Sequence, residues 1–168
     1  MPREVTGPAH EVGALLDALA HEHRVYVRSG RLPGDTPARP LTRRIAEEVH
    51  ALVIGLYEDH WHRYTYGTGP VPVAQIEWSL HPKDPADAVA LMARFAAADL
   101  LFPEYALMDR ADAERIAGRV VGLLGPGARW WSNTDDVSSE GLVGCTLDGL
   151  VVGTDGERFA ALIQVADD

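Results

Sequence analysis

Apolar positions along the chain fall into two periods, one near 3.6 and one near 2. Val12, Leu15, Leu16 and Leu19 follow Gly7-Pro8 and predict an amphipathic helix with proline in its first turn. Arg24 to Arg28 alternates polar and apolar residues, the pattern of a short half-buried strand. Residues 29–40 hold three prolines and two glycines and predict a loop, a possible hinge too short for a domain linker. Residues 42–62 carry the longest helical stripe: Ile45, Val49, Leu52, Val53 and Leu56. Residues 73–80 alternate, with Ala74, Ile76, Trp78 and Leu80 against Gln75, Glu77 and Ser79. That alternation predicts a strand with one wet face.

Asp84-Pro85 reads as an N-cap followed by proline at the first helical position, ahead of Val89, Met92, Phe95 and Ala96. Asp109 caps a further helix carrying Ala113, Ile116, Ala117, Val120 and Leu124, which stops at Gly125-Pro126-Gly127. The segment 100–107 is apolar and interrupted by Pro103; it takes no assignment, but a surface of this kind could be buried in an oligomer. Residues 128–132 predict a strand. Beyond them Asp148-Gly149 and Asp155-Gly156 predict two tight turns between strands 142–147, 150–153 and 158–165. The last of these is apolar on both faces and suits a central position. The expectation is a single α+β domain over residues 1–168. About four helices, mostly N-terminal and central, would pack on an antiparallel sheet completed by a C-terminal meander and joined by the 73–80 strand.

Composition narrows the function classes. The chain has 168 residues, 46% of them hydrophobic and 24% charged, as in ordinary globular proteins. No apolar run approaches the length of a membrane span. The opening Met-Pro-Arg-Glu-Val-Thr-Gly has no apolar stretch of the secretory kind, and the single Cys145 suits a reducing compartment. The expected location is the cytoplasm. Net charge is −10, and residues 133–168 hold eight acidic side chains against one basic, Arg158. Scattered arginines and an acidic balance argue against a nucleic-acid backbone as partner.

The motifs of known chemistries are weak here. His60-Trp61-His62 has metal-pair spacing on a strand, but on a helix these histidines lie about 200° apart. Helical periodicity runs into this triplet, putting His60 at the core edge and His62 one turn beyond Glu58. His21-Glu22-His23 has the same difficulty. Glu47-x-x-His50 matches one half of a di-iron motif, and no second half exists. Ser132, Ser138 and Ser139 lack a nucleophile elbow, and Cys145 sits in a predicted strand. Neither a metal nor another cofactor is expected.

Charge is what remains. If strand 128–132 pairs with 142–147, Asp135, Asp136, Glu140, Asp155 and Glu157 gather at one end of the sheet. Asp148, Asp167 and Asp168 then fall at the other. Trp130 and Trp131 point to opposite faces of a strand. Core packing of both is favoured, while an exposed Trp131 beside Asp135 and Asp136 would add a binding hot spot. The functional expectation is a non-catalytic acidic protein that holds a basic protein partner, as immunity or antitoxin-type inhibitors do. The alternative is a small enzyme or ligand-binding protein whose pocket uses Glu47, His50, Tyr57 and His60 on the 42–62 helix.

Overall fold

The computed structural model describes residues 7–34, 38–64, 69–135, 141–144 and 147–167. Expectations placed on Asp136, Ser138, Ser139, Glu140, Cys145 and Asp168 lie outside the described residues. The fold is α+β. Helix α1 (Pro8–Leu19) leads into strand β1 (Val25–Arg31), and α2 (Leu41–Asp59) follows, extended by a 3-10 turn at Trp61–Tyr64. Then come α3 (Val73–Trp78), β2 (His81–Lys83), α4 (Pro85–Ala97) and α5 (Arg110–Leu124). Strands β3 (Arg129–Ser132), β4 (Leu147–Thr154) and β5 (Arg158–Ala166) complete the order.

The strands form one antiparallel sheet in the order β1-β5-β4-β3-β2. Helices cover both faces. On one side α1, α4 and α5 bury Leu16, Met92, Phe95 and Val120 against Trp130, Val151 and Leu162. On the other, α2 and α3 bury Ile45, Val49, Leu56 and Ile76 against Trp131, Val152 and Ile163. Each large apolar side chain so buried stabilises by roughly 1.5–3 kcal/mol. Two covered faces explain why β5 reads apolar on both sides. They also explain the tandem tryptophans, since alternation sends Trp130 into one layer and Trp131 into the other.

Local capping matches expectation at α4 and α5, where Asp84 accepts from Asp87 N at 2.8 Å and Asp109 from Asp112 N at 3.0 Å. The α5 helix ends at Gly125, whose φ is 90°. Three expectations fail. The 73–80 segment is not a strand: Pro72 precedes a six-residue helix that buries Ile76 and leaves Trp78 exposed. Glu77 ties this helix to α2, accepting from Thr42 Oγ1 at 2.7 Å and Arg43 Nε at 2.8 Å. These partners also hold its carboxyl below the usual range. Its place in the sheet is taken by His81–Lys83.

The second failure is Asp148-Gly149, which makes no turn. It lies inside β4, a continuous strand from Leu147 to Thr154, so the C-terminal meander is made by β3, β4 and β5 with its tight turn at Asp155-Gly156 alone among the described residues. The third follows from the register. Strand β3 pairs with β4 as Arg129↔Thr154 and Ser132↔Val151. Asp135 therefore lies beyond the Ser132 end of the sheet, while Asp155 and Glu157 sit in the β4–β5 hairpin at the Arg129 end. Among the described residues, no helix is long and apolar enough to cross a membrane.

Candidate functional site

The five-carboxylate rim is not assembled. Asp135 is exposed at one end of the sheet and Asp155 occupies the other. Asp155 also spends its charge internally. Its Oδ1 accepts from Glu157 N at 2.9 Å and Arg158 N at 2.8 Å, and its Oδ2 meets Arg158 Nη2 at 3.0 Å. Trp131 is buried at 2% exposure with the Arg129 guanidinium over its ring, so it presents nothing to a partner.

The alternative pocket is also dispersed. Glu47 pairs with Arg39, and His50 is half-buried. At 1.5 Å per residue, Glu47 and His60 stand about 20 Å apart along α2. Tyr57 meets His62 edgewise with ring centroids 6.0 Å apart. The helix ends at Asp59, with His60 as its cap, so His62 does not continue the helical face toward Glu58. Its Nδ1 lies 2.9 Å from Tyr57 O.

What the fold does bring together are the two histidine-bearing segments, at the junction of α1, β1 and the end of α2. Between α1 and β1 the chain reverses tightly: His21 N donates to Val25 O at 3.1 Å and Val25 N to His21 O at 2.9 Å. His23 sits within that reversal at φ 61°, a left-handed conformation that residues other than glycine seldom adopt. Two contacts hold it there. Its carbonyl accepts from the buried Trp61 Nε1 at 3.1 Å, and its ring stacks on His60, with centroids 4.0 Å apart and planes 9° from parallel. His60 packs in turn against Trp61 and Tyr64.

Beside the stack, Tyr26 on β1 donates its hydroxyl to Asp59 Oδ2 at 2.8 Å. His23 Nε2 lies 3.8 Å from Glu22 Oε1 and 4.0 Å from Asp59 Oδ2. Burial, then the hydrogen bond to Asp59, pushes the Tyr26 phenol above its ordinary value. Burial and the neighbouring His23 lower His60, favouring the neutral ring. Together Ala20, His21, Glu22, His23, Tyr26 and Asp59, with Val25 beneath, line an open cleft of about 300 Å³.

Two features of this cleft favour positive charge. Glu22 and Asp59 are carboxylates with side chains 86% and 51% exposed. The last turn of α2 also points its negative dipole end here, and that turn carries Glu58 and Asp59 but no basic residue. A cation is the species such a helix end favours. The arrangement does not suit a metal shared by the stacked histidines, because parallel rings 4.0 Å apart aim their in-plane lone pairs along separate planes. No group of three or more His, Cys, Asp or Glu side chains able to hold a metal occurs among the described residues.

Sequence reasoning singled out both histidine triplets but did not bring them together. It gave Tyr26, Glu22 and Asp59 no functional role. The only available signal was the coincidence of two His-x-His triplets, since the 36 residues between His23 and His60 hide their contact from any local pattern. Comparison of the chain with protein-family models, with curated proteins and with solved structures finds no match to any of them.

Proposed function

We propose that the protein is a non-catalytic cytoplasmic binding protein for a basic partner protein, and that the cleft at the end of α2 receives a cationic side chain of that partner. The observation that carries this reading is the cleft's lining, two solvent-facing carboxylates and a phenol at a helix's negative end. An arginine or lysine entering it would meet Asp59 and Glu22 as charge partners and the Tyr26 and His23 rings as apolar walls. The overall charge of −10 would speed the encounter with a basic protein. Acidic inhibitors of the immunity or antitoxin type bind in this manner, so a basic enzyme is the class of partner proposed.

The test is an NMR titration of the full chain with L-arginine amide, for wild type and for Asp59→Asn. Amide signals of residues 20–26 and 56–60 should shift saturably, weaken with added salt, and lose most of their response in the variant. Shifts that are absent, or unchanged by Asp59→Asn, would reject the cleft as a cation site.

A further inference from the structure

The loop after α4 is held from beneath by buried polar groups while it lifts two aromatic rings into solvent. Asp99 is 5% exposed. Its Oδ1 accepts from Leu101 N and Phe102 N, both at 2.9 Å, and its Oδ2 meets Arg24 Nη1 at 3.1 Å. Gln164 of β5, fully buried, accepts from Leu100 N at 2.8 Å and donates to the carbonyls of Phe95 and Ala98. The backbone closes the loop on itself: Asp99 N donates to Tyr105 O at 3.0 Å and Tyr105 N to Phe102 O at 2.9 Å. On this platform Phe102 is 46% and Tyr105 65% exposed, their rings edge to face with centroids 6.1 Å apart. Glu104, also exposed, lies between them in the chain.

A loop free to relax would fold such rings onto the core. Here at least four buried or half-buried hydrogen bonds fix the backbone that presents them, so their exposure is built in. Rigid aromatic side chains presented in this way bind with little ordering cost. We infer that Phe102, Glu104 and Tyr105 form a second docking point for the same basic partner, one that selects arginine over lysine. The inference rests on the cleft reading for the identity of that partner.

Arginine fits because its planar cation stacks on a ring face while still pairing with a carboxylate, and the compact lysine ammonium does so less well. The two points are mechanically joined. Arg24 belongs to the reversal that carries Glu22 and His23, and its bridge to Asp99 ties that reversal to the Phe102 loop. A second copy of this chain is the poorer occupant, because each copy carries −10 and an isologous contact would set one Glu104 near the other.

The experiment is calorimetric titration of the full chain at low ionic strength with deca-arginine amide and deca-lysine amide. Three proteins are compared: wild type, Phe102→Ala/Tyr105→Ala, and Glu22→Gln/Asp59→Asn. Both aromatic side chains are solvent-exposed, so their truncation leaves the core intact, and circular dichroism checks this. The aromatic double variant should weaken deca-arginine about tenfold and deca-lysine less than about twofold. Equal losses for both peptides, or none, overturn the docking point. If only the carboxylate variant loses binding, the cleft stands and the aromatic loop fails. If only the aromatic variant loses deca-arginine, the loop stands and the cleft fails. A wild-type dimer in sedimentation that the aromatic variant disperses would make a second copy the occupant and overturn the inference.

Discussion

The chain contains the dipeptide Asp-Gly twice, seven residues apart, and the two copies have opposite fates. Asp155-Gly156 turns the chain between β4 and β5: Gly156 has φ 101°, and nothing lies within 4 Å of where its Cβ would be. Asp148-Gly149 runs straight through β4. Gly149 leaves room for the Phe95 ring, and Asp148 is buried with its carboxylate taking Leu142 N at 2.8 Å, Val143 N at 3.0 Å and Asn133 Nδ2 at 2.7 Å. Identical local chemistry therefore serves a turn in one place and a packing and tethering role in the other. Surroundings decide between them. Asp155 has solvent and Arg158 beside it, whereas Asp148 is buried beyond the Ser132 end of β3, held by Asn133 and the 142–143 backbone.

Removing each aspartate should separate the two copies most widely. Asp148→Ala leaves the buried Leu142 and Val143 N–H groups without their acceptor, each worth about 1–3 kcal/mol. It also removes the 2.7 Å bond from Asn133 Nδ2, which keeps its 3.3 Å bond to the backbone oxygen of residue 148; relief of the buried charge offsets part of this. A net loss on the order of 4 kcal/mol is expected in urea unfolding, with faster hydrogen exchange at Leu142 and Val143. Asp155→Ala removes bonds in a solvent-facing turn and should cost only about 1 kcal/mol. Equal costs would mean that burial does not set the difference.

Acid should act on the two carboxyls with opposite sign. Burial pushes Asp148 up to about 6, against the hydrogen bonds from Leu142, Val143 and Asn133 that favour its charged form. A folded pKa above the ordinary 3.8 means the native state holds the proton more tightly. This contribution is fully present below about 4 and is lost as pH rises through about 6, by about 3 kcal/mol. Burial also acts to raise Asp155, but bonds from Arg158 N and Glu157 N and the Arg158 guanidinium prevail and lower it. Its contribution is present at neutral pH and lost as pH falls below the ordinary carboxylate range. Urea midpoints should therefore fall for wild type relative to Asp148→Asn between about pH 4 and pH 7. They should rise relative to Asp155→Asn over the acid limb. A flat difference for the Asp148 pair would remove burial as the cause of its shift.

The same contrast marks how far the sequence could be read. Long periodic stretches were legible because many positions agree: α2 buries Ile45, Val49, Leu52, Val53 and Leu56 as its stripe predicts. The capped helices α4 and α5 and the two-faced β5 were legible for the same reason. The 73–80 segment was not, because Ile76 and Leu80 satisfy period 2 and period 3.6 alike over so short a span. Asp148-Gly149 misled because turn propensity is local, while Asn133 and Phe95, which hold it in a strand, lie far away in the chain. The cleft stayed hidden for a related reason. His23, Tyr26 and Asp59 meet only through the packing of β1 against the end of α2, and no spacing in the sequence encodes that contact.

The glycine substitutions should cost less than Asp148→Ala, and they test packing against backbone strain. A Cβ at Gly149 would lie 2.7 Å from Phe95 Cε1, pressed against the edge of a ring in a residue that is itself 1% exposed and cannot swing away. Gly149→Ala should cost about 2 kcal/mol as α4 shifts off the sheet. A Cβ at Gly156 meets open space, so Gly156→Ala carries only the penalty of a left-handed φ, about 1 kcal/mol. Adding Phe95→Leu should recover part of the loss for Gly149→Ala and none for Gly156→Ala, measured as a double-mutant cycle in urea. Recovery at Gly156 instead would place the strain of the hairpin in the core, where the geometry puts none.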